Sequence, residues 1–263
     1  MTPTPPGLRA HQLRVGYGSR TVLSDLSVTL PTGAFTAIIG PNGCGKSTLL
    51  KSLGRAIVPR AGAVTLDGTD LASLRPKVIA RRLALLPQDP IAPDTIRVRD
   101  LVARGRHPYH SLLRQWAPGD TEAVDRALAE TGVTHLADRF VSELSGGQRQ
   151  RAWVALVLAQ DTDYVLLDEP TSFLDISHQI DLLHRCQDMR SAGKTVVAVL
   201  HDLNQAARYA DHLVVMHEGA IVAEGTPADV LSADLVREVF ALPAEITIDP
   251  QSGSPLIVPL ARV

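Results

Sequence analysis

Residues Gly40–Thr48 read GPNGCGKST, preceded by FTAII and followed by LLKSLG. The stretch fits G-x-x-x-x-G-K-[ST] at every position (Gly40, Pro41, Asn42, Gly43, Cys44, Gly45, Lys46, Ser47, Thr48). Its flanks predict a buried strand before it and a helix from Lys46 to about Gly54 after it. That strand–loop–helix context makes the string a phosphate cradle. Glycines let backbone N–H groups turn inward toward phosphates, and the helix N-terminus adds a favourable dipole. Lys46 supplies a point charge for β- and γ-phosphates, and the Ser47 hydroxyl can ligate Mg²⁺. Cys44 admits two readings. Beside Lys46 and a helix start its thiol could be acidified and redox-active, or a small residue simply fits the loop, which is the reading preferred.

Working outward, LRAHQLRV, TVLSDLSVTL and FTAIIG read as antiparallel strands feeding a core strand that ends at Gly40. VTLDG is another short strand, and RRLALLPQ runs into a loop carrying Pro87, Pro90 and Pro93. Residues 89–160 change texture to helical patterns: VRDLVARGR, TEAVDRALAETG and GGQRQRAWVALVLAQ. The α/β alternation then returns with YVLLDE, DISHQIDLLHRCQDMRSAG, TVVAVLHD, LNQAARYAD, HLVVMHEG and AIVAEG. A helical lobe inserted into an α/β core explains this order better than two consecutive domains. The core is expected over 1–88 and 161–240, the helical subdomain over 89–160, and a hairpin tail about DPQSG over 241–263. The Pro/Thr-rich leader, residues 1–7, is expected to fray.

Composition bounds the partners. With 263 residues, 45% hydrophobic and 21% charged, the chain suits one large core or a core plus a smaller lobe. A formal charge of -2 gives no electrostatic reason to expect nucleic acid or an anionic membrane surface, and Arg81–Arg82 read as a solvated or partner-facing pair. Cys44 and Cys186 make no disulfide framework and stand at no metal spacing, which suits a reducing cytoplasm. The opening MTPTPPGLRAH lacks a basic head and apolar stretch, so no signal peptide is expected. No run approaches the roughly 20 apolar residues that cross a bilayer, so any work at a membrane is expected to go through a partner.

Two further segments carry chemistry. YVLLDEPTS, Tyr164–Ser172, begins as a buried strand and ends in adjacent carboxylates, Asp168 and Glu169. Strand alternation is expected to send them to different sides, one to the Mg²⁺ shell and one to the attacking water. LSGGQRQR, Leu144–Arg151, places Ser145 where a helix N-cap belongs, with Gly146 and Gly147 allowing close approach to the first turn. A second phosphate-facing helix N-terminus in one chain suggests that Leu144, Ser145, Gly146, Gly147 and Gln148 of one copy cover the Gly40–Thr48 loop of another.

GPNGCGKST, Gln88, LSGGQ, LLDEP, SFLD and His201 at a strand end, in that order, resemble the nucleotide-binding subunit of ABC transporters. The resemblance implies an α/β fold: a P-loop NTPase (RecA-like) core, an N-terminal antiparallel β subdomain and the inserted helical signature subdomain. It also implies hydrolysis of ATP with Mg²⁺ by in-line attack of water, catalysed mainly by positioning and charge neutralisation. Tyr17 in VGYG should stack on adenine; Gln88 should reach Mg²⁺ and the attacking water, and its loop should sense a membrane partner. Glu169 should be the general base, Asp175 should communicate across a dimer, and His201 should contact the γ-phosphate and orient Glu169. Ser47, Gln88 and Asp168 should surround the metal. The implied partners are a second copy of the chain, an integral-membrane permease and, indirectly, a substrate-binding protein, with no nucleic acid; the implied place is the cytoplasmic face of the membrane.

Within that family, RGRHPYHSLLRQW (Arg104–Trp116) and the tail ITIDPQSGSPLIVP resemble importers of iron-siderophores, haem and vitamin B12, the tail especially the siderophore members. His107 and His110 lack an adjacent carboxylate or third His and are expected to be surface residues near the permease contact rather than iron ligands. The alternative is a stand-alone soluble ABC ATPase, such as one assisting iron–sulfur cluster assembly. The short stretch between Lys46 and Ser145 excludes the coiled-coil insertion of DNA-repair or chromosome ATPases. Single copies of each motif exclude a duplicated translation-factor type. A purely regulatory module conflicts with the presence of Glu169 and His201.

Overall fold

The computed structural model describes residues 7–110 and 116–261, which fall in two compact units: 7–73 with 183–261, and 74–110 with 116–182. The leader expected to fray lies outside the described residues except for Gly7, and so do residues 111–115 of the RGRHPYHSLLRQW stretch.

In the first unit β1 (Leu8–Tyr17) and β2 (Arg20–Thr29) pair antiparallel, registered from Arg9 with Thr29 to Tyr17 with Arg20. Alternation sorts their faces: Leu13 and Val15 are buried while Gln12 and Arg14 are exposed. β3 (Phe35–Ile39) is buried at every position, hence its unbroken apolar run. The chain then passes through the GPNGCGKST loop into α1 (Lys46–Leu53), which turns Leu49, Leu50 and Leu53 inward. β4 (Ala61–Leu66) pairs with the other edge of β1, and β5 (Thr69–Asp70) follows, giving the order β2-β1-β4-β5.

The second unit holds α2 (Pro76–Ala80), β6 (Leu83–Leu86), α3 (Val98–Ala103), α4 (Pro118–Glu130), α5 (Gly146–Gln160) and β7 (Tyr164–Asp168). β6 and β7 are parallel neighbours, Leu83 beside Tyr164 and Leu86 beside Leu167. Val98, Leu101, Val124, Leu128, Val133 and Ala155 make the core of the helical part. VRDLVARGR is not one helix: α3 stops at Ala103 and a 3-10 stretch, Arg104–Tyr109, follows. Two features mark that stretch. A Cβ at Gly105 would lie 2.4 Å from the Leu156 carbonyl oxygen, so the backbone must run close against α5. Pro108 has no N–H with which to prolong an α-helix.

That stretch is tied down by charge. Arg106 Nε lies 2.8 Å from Asp120 Oδ1, its Nη1 donates to the Ala159 carbonyl at 2.8 Å, and its guanidinium sits 4.0 Å from the Tyr109 ring centre. His110 is not a plain surface residue: its Nε2 lies 3.4 Å from Asp120 Oδ2 and its ring 5.4 Å from that of Trp116. Burial raises the Asp120 carboxyl, but the Ala117 N–H, Arg106 and His110 outweigh it and the net shift is downward.

α6 (Ile176–Ser191) spans the division, and the first unit resumes with β8 (Thr195–Val199), α7 (Leu203–Tyr209), β9 (His212–His217) and β10 (Ala220–Gly225). Within this unit the order is β10-β9-β3-β8, with β3 parallel to both neighbours and β10 antiparallel at the edge. Two short helices not anticipated from sequence follow, α8 (Pro227–Val230) and α9 (Ala233–Phe240). Thr226 and Ser232 cap them, their side chains accepting from the Asp229 and Leu235 N–H groups. The tail is the expected hairpin of β11 (Ala244–Ile248) and β12 (Pro255–Pro259). Among the described residues no helix is long and apolar enough to cross a membrane.

Replacing Arg106 by Met strands the buried Asp120 carboxylate, and this should lower unfolding stability by about 3 kcal/mol at neutral pH. Because the folded Asp120 pKa lies below its unfolded value, its contribution is present above the ordinary Asp value and lost as pH falls through the lowered one. The urea midpoints of wild type and Arg106→Met should therefore converge on acidification; a gap constant from pH 7 to pH 3 would contradict this.

Candidate functional site

Residue Gly40 leaves β3 at φ 151°, and a Cβ there would lie 2.2 Å from the Met216 carbonyl oxygen and 2.9 Å from Cys44 Sγ. Only glycine fits. Gly45, at φ 107°, forms the N-cap of α1, and a Cβ on it would meet Leu23 Cδ2 at 2.8 Å. Gly43 takes φ 77° in open space, so its requirement is conformational alone. Pro41 and Asn42 complete the turn, closed by Cys44 N–H donating to the Pro41 carbonyl at 3.4 Å. Lys46 is buried, and its Nζ donates to the Gly40 and Pro41 carbonyls at 2.8 and 2.9 Å. Of the three protons of the ammonium this uses two and aims it across the loop. Ser47 and Thr48 continue in the first turn of α1.

Cys44 lies 5% exposed beneath the loop, and burial pushes its thiol up, with Lys46 opposing. A thiol so placed carries less thiolate than an ordinary cysteine, which favours the role of a small packing residue over redox chemistry.

His201 follows β8 just as Gly40 follows β3. These strands are parallel neighbours, Ile38 beside Val199, and Leu200 N–H donates to the Ile38 carbonyl at 3.1 Å. Both therefore lie beyond the carboxyl ends of adjacent strands, where open α/β sheets carry their ligands. Tyr17 stands at the end of β1 and is 53% exposed.

In the second unit the same logic joins Gln88 and Glu169. β6 and β7 run side by side, and Gln88 Nε2 beyond one donates to Glu169 Oε2 beyond the other at 2.9 Å. Asp168 is the last residue of β7 and is fully buried. Strand alternation does not separate the two carboxylates, because the strand ends at Asp168. Glu169 takes φ 51°, and that left-handed residue turns the chain. Ser172 N–H closes the turn on the Glu169 carbonyl at 3.1 Å.

Ser145 is the N-cap of α5, in a reciprocal box: Gln148 N–H donates to Ser145 Oγ at 3.3 Å and Ser145 N–H to Gln148 Oε1 at 3.1 Å. Leu144 is buried just ahead of it. Cβ atoms on Gly146 and Gly147 would lie 3.4 Å from Phe173 Cβ and 3.2 Å from the Phe173 carbonyl oxygen. Asp175 opens α6, its Oδ1 accepting from His178 N–H and Ser177 Oγ at 3.0 Å each and lying 2.7 Å from His178 Nδ1. The His178 N–H bond is the leading cause holding that carboxyl down to about 2.

Sequence reasoning passed over Gln150. Its side chain is buried and donates through Nε2 to the Pro170 carbonyl at 3.1 Å. A signal was available, since Gln150 shares a helix stripe with the buried Val154 and Val157.

Comparison with known proteins places the chain. The family pattern described as ABC transporter matches residues 23–172. The ferric enterobactin transport ATP-binding protein of Escherichia coli (strain K12) is 53% identical over 263 residues, covering 100% of this chain and 97% of that one. A probable siderophore transport system ATP-binding protein of Bacillus subtilis (strain 168) is 50% identical, covering 95% of this chain and 91% of that one. Among solved structures, a metal-chelate type ABC transporter in an inward-facing conformation superposes with a TM-score of 0.81 at 28% identity, covering 98% of each chain. This chain belongs to the ABC transporter family, as one of its ATP-hydrolysing cassettes.

Proposed function

We propose that the chain is the ATP-hydrolysing subunit of an importer for an iron(III)-siderophore or related iron chelate, working in pairs on the cytoplasmic face of the membrane beneath a permease. The observation that carries this reading is identity of 53% over the full chain to a relative named for ferric enterobactin transport. The alternative of a stand-alone assembly ATPase finds no comparable support.

Each residue has a task in this reading. Tyr17 stacks on adenine, and the backbone of Gly40–Gly45 with the third proton of Lys46 takes the phosphates. Ser47, Gln88 and Asp168 hold Mg²⁺, which when bound neutralises phosphate charge. Their oxygens are the hard donors that ion takes. Among the described residues no group of three His, Cys, Asp or Glu could hold a metal, and Mg²⁺ suits such a sparse set because phosphates and water fill its remaining positions. Glu169, held by Gln88, takes a proton from the attacking water, and His201 steadies the γ-phosphate and Glu169. Leu144–Gln148 of a second copy closes the site from the other side, and Asp175 communicates between copies. The permease engages the loop after Gln88, where Ile91 is 93% exposed beside a groove of about 400 Å³ lined by Pro93, Val141, Arg149 and Trp153. A substrate-binding protein acts through that permease.

Glu169→Gln should bind ATP, hydrolyse it at least about 100-fold more slowly and accumulate as a dimer on size-exclusion chromatography with ATP; steady turnover at the wild-type rate would sink the assignment of the base. In vesicles carrying permease and binding protein, uptake of a radiolabelled ferric siderophore should require this subunit and ATP. Ile91→Asp should cut that uptake severalfold, and undiminished uptake would remove the loop from the docking surface.

A further inference from the structure

The hydrolytic loop is held in a costly shape. Glu169 and Phe173 both take positive φ, 51° and 64°, which side chains other than glycine rarely adopt. Glu169 also precedes Pro170, whose ring restricts the residue before it. Such backbone persists only where its surroundings over-determine it. Gln88 reaches the loop from beyond β6, at the Glu169 carboxylate, and Ser172 reaches it from within the turn. α6 holds its far end, Gln179 Nε2 donating to the Leu174 carbonyl at 3.0 Å, and α5 supplies a further fastening. Gln150 Nε2 donates to the Pro170 carbonyl at 3.1 Å, and the bare first turn at Gly146 and Gly147 lies against Phe173 and Leu174. Gln150 is 5% exposed, and a buried primary amide demands the bond it makes. Gln150 stands little more than one turn from Ser145 on the same helix. The Gln150 bond thus links that N-terminus to the peptide beside Glu169, alongside the packing of its glycines on Phe173 and Leu174.

We infer that Gln150 is a positioning residue that ties the first turn of the Leu144–Gln148 helix to the hydrolytic loop of its own chain, so that nucleotide engaged by that turn sets the placement of Glu169. The inference rests on Glu169 being the general base. It gives each copy a route by which the ATP its helix covers in the other copy conditions its own hydrolysis.

Gln150→Met keeps length and bulk but removes the donor. In the purified full-length protein it should lower kcat about tenfold while leaving the KM for ATP within about twofold and lowering the thermal midpoint by only about 2–6 °C, the cost of one unmet buried carbonyl. Gln150→Glu is the second variant. At alkaline pH its carboxylate would face the Pro170 carbonyl with no proton to donate; protonated, it restores the bond, and burial raises its pKa toward the working range. The ratio of its kcat to that of wild type should therefore rise as pH falls from 8 to 6. A wild-type kcat in Gln150→Met, a change in KM with kcat preserved, or a flat or falling pH ratio in Gln150→Glu would each overturn the inference. If Gln150→Met does not fold, the pH ratio in Gln150→Glu decides alone. Glu169→Gln run in parallel separates the two ideas: if it turns over normally the reading of the base fails, and if it is dead while Gln150→Met is normal only the role of Gln150 fails.

Discussion

The Met216 carbonyl oxygen occupies the space a Cβ of residue 40 would need, 2.2 Å away. The chain can leave β3 toward α1 only as glycine at that point, with φ 151°. The whole phosphate cradle depends on this close approach. β9 holds β3 from one side and β8 from the other, all three parallel, and the buried apolar run of β3 admits no slip without moving the loop. The departure at Gly40 aims the loop, Gly45 at φ 107° starts the helix, and Lys46 is folded back over the Gly40 and Pro41 carbonyls. The Lys46 side chain, bonded to two carbonyl dipoles, is thereby held at the mouth of the helix, where the dipole and the inward N–H groups also favour an anion.

Parallel neighbours repeat this economy of placement. Residues separated widely in sequence come together because adjacent strands end at the same level. Gly40 and His201 do so after β3 and β8, and Gln88 and Glu169 after β6 and β7. No side chain need reach far, and the positioning is done by strands whose burial makes them rigid.

Much of this was legible in the sequence because it is written in patterns of backbone demand. The α/β core with a helical insertion, the strand before Gly40, the helix from Lys46, the N-cap at Ser145 and the hairpin about DPQSG follow from glycines, apolar periodicity and cap residues, all local signals, while the P-loop NTPase fold was implied by the family resemblance. What escaped is what a tertiary neighbour decides. VRDLVARGR has helical composition throughout, yet α3 stops at Ala103 and the backbone at Gly105 runs close against Leu156. Asp168 and Glu169 read as alternating strand positions, whereas the strand ends between them and a left-handed residue makes the turn. The motifs marked which residues stand at the candidate site. They did not reveal what supports them: Gln150 sits in the polar run QRQR, and Arg106 and Asp120 look like surface charges until the fold buries them together.

The glycine pair at Gly146–Gly147 shows how one sequence feature can answer two constraints. Seen from the sequence, bare glycines at a helix start invite an approaching phosphate. In the fold, their Cα atoms also lie against Phe173, and a Cβ on Gly147 would stand 3.2 Å from its carbonyl oxygen. Phe173 has little freedom to give way, since it already holds φ 64° in a loop fixed at one end by Glu169 and at the other by the capping of α6 through Asp175. A side chain at position 147 would therefore press on the loop that carries Glu169 as well as on anything bound at the helix N-terminus. Loss of activity on such a substitution is accordingly no measure of nucleotide contact alone; an added side chain there already makes a tight contact within the chain before any second copy arrives.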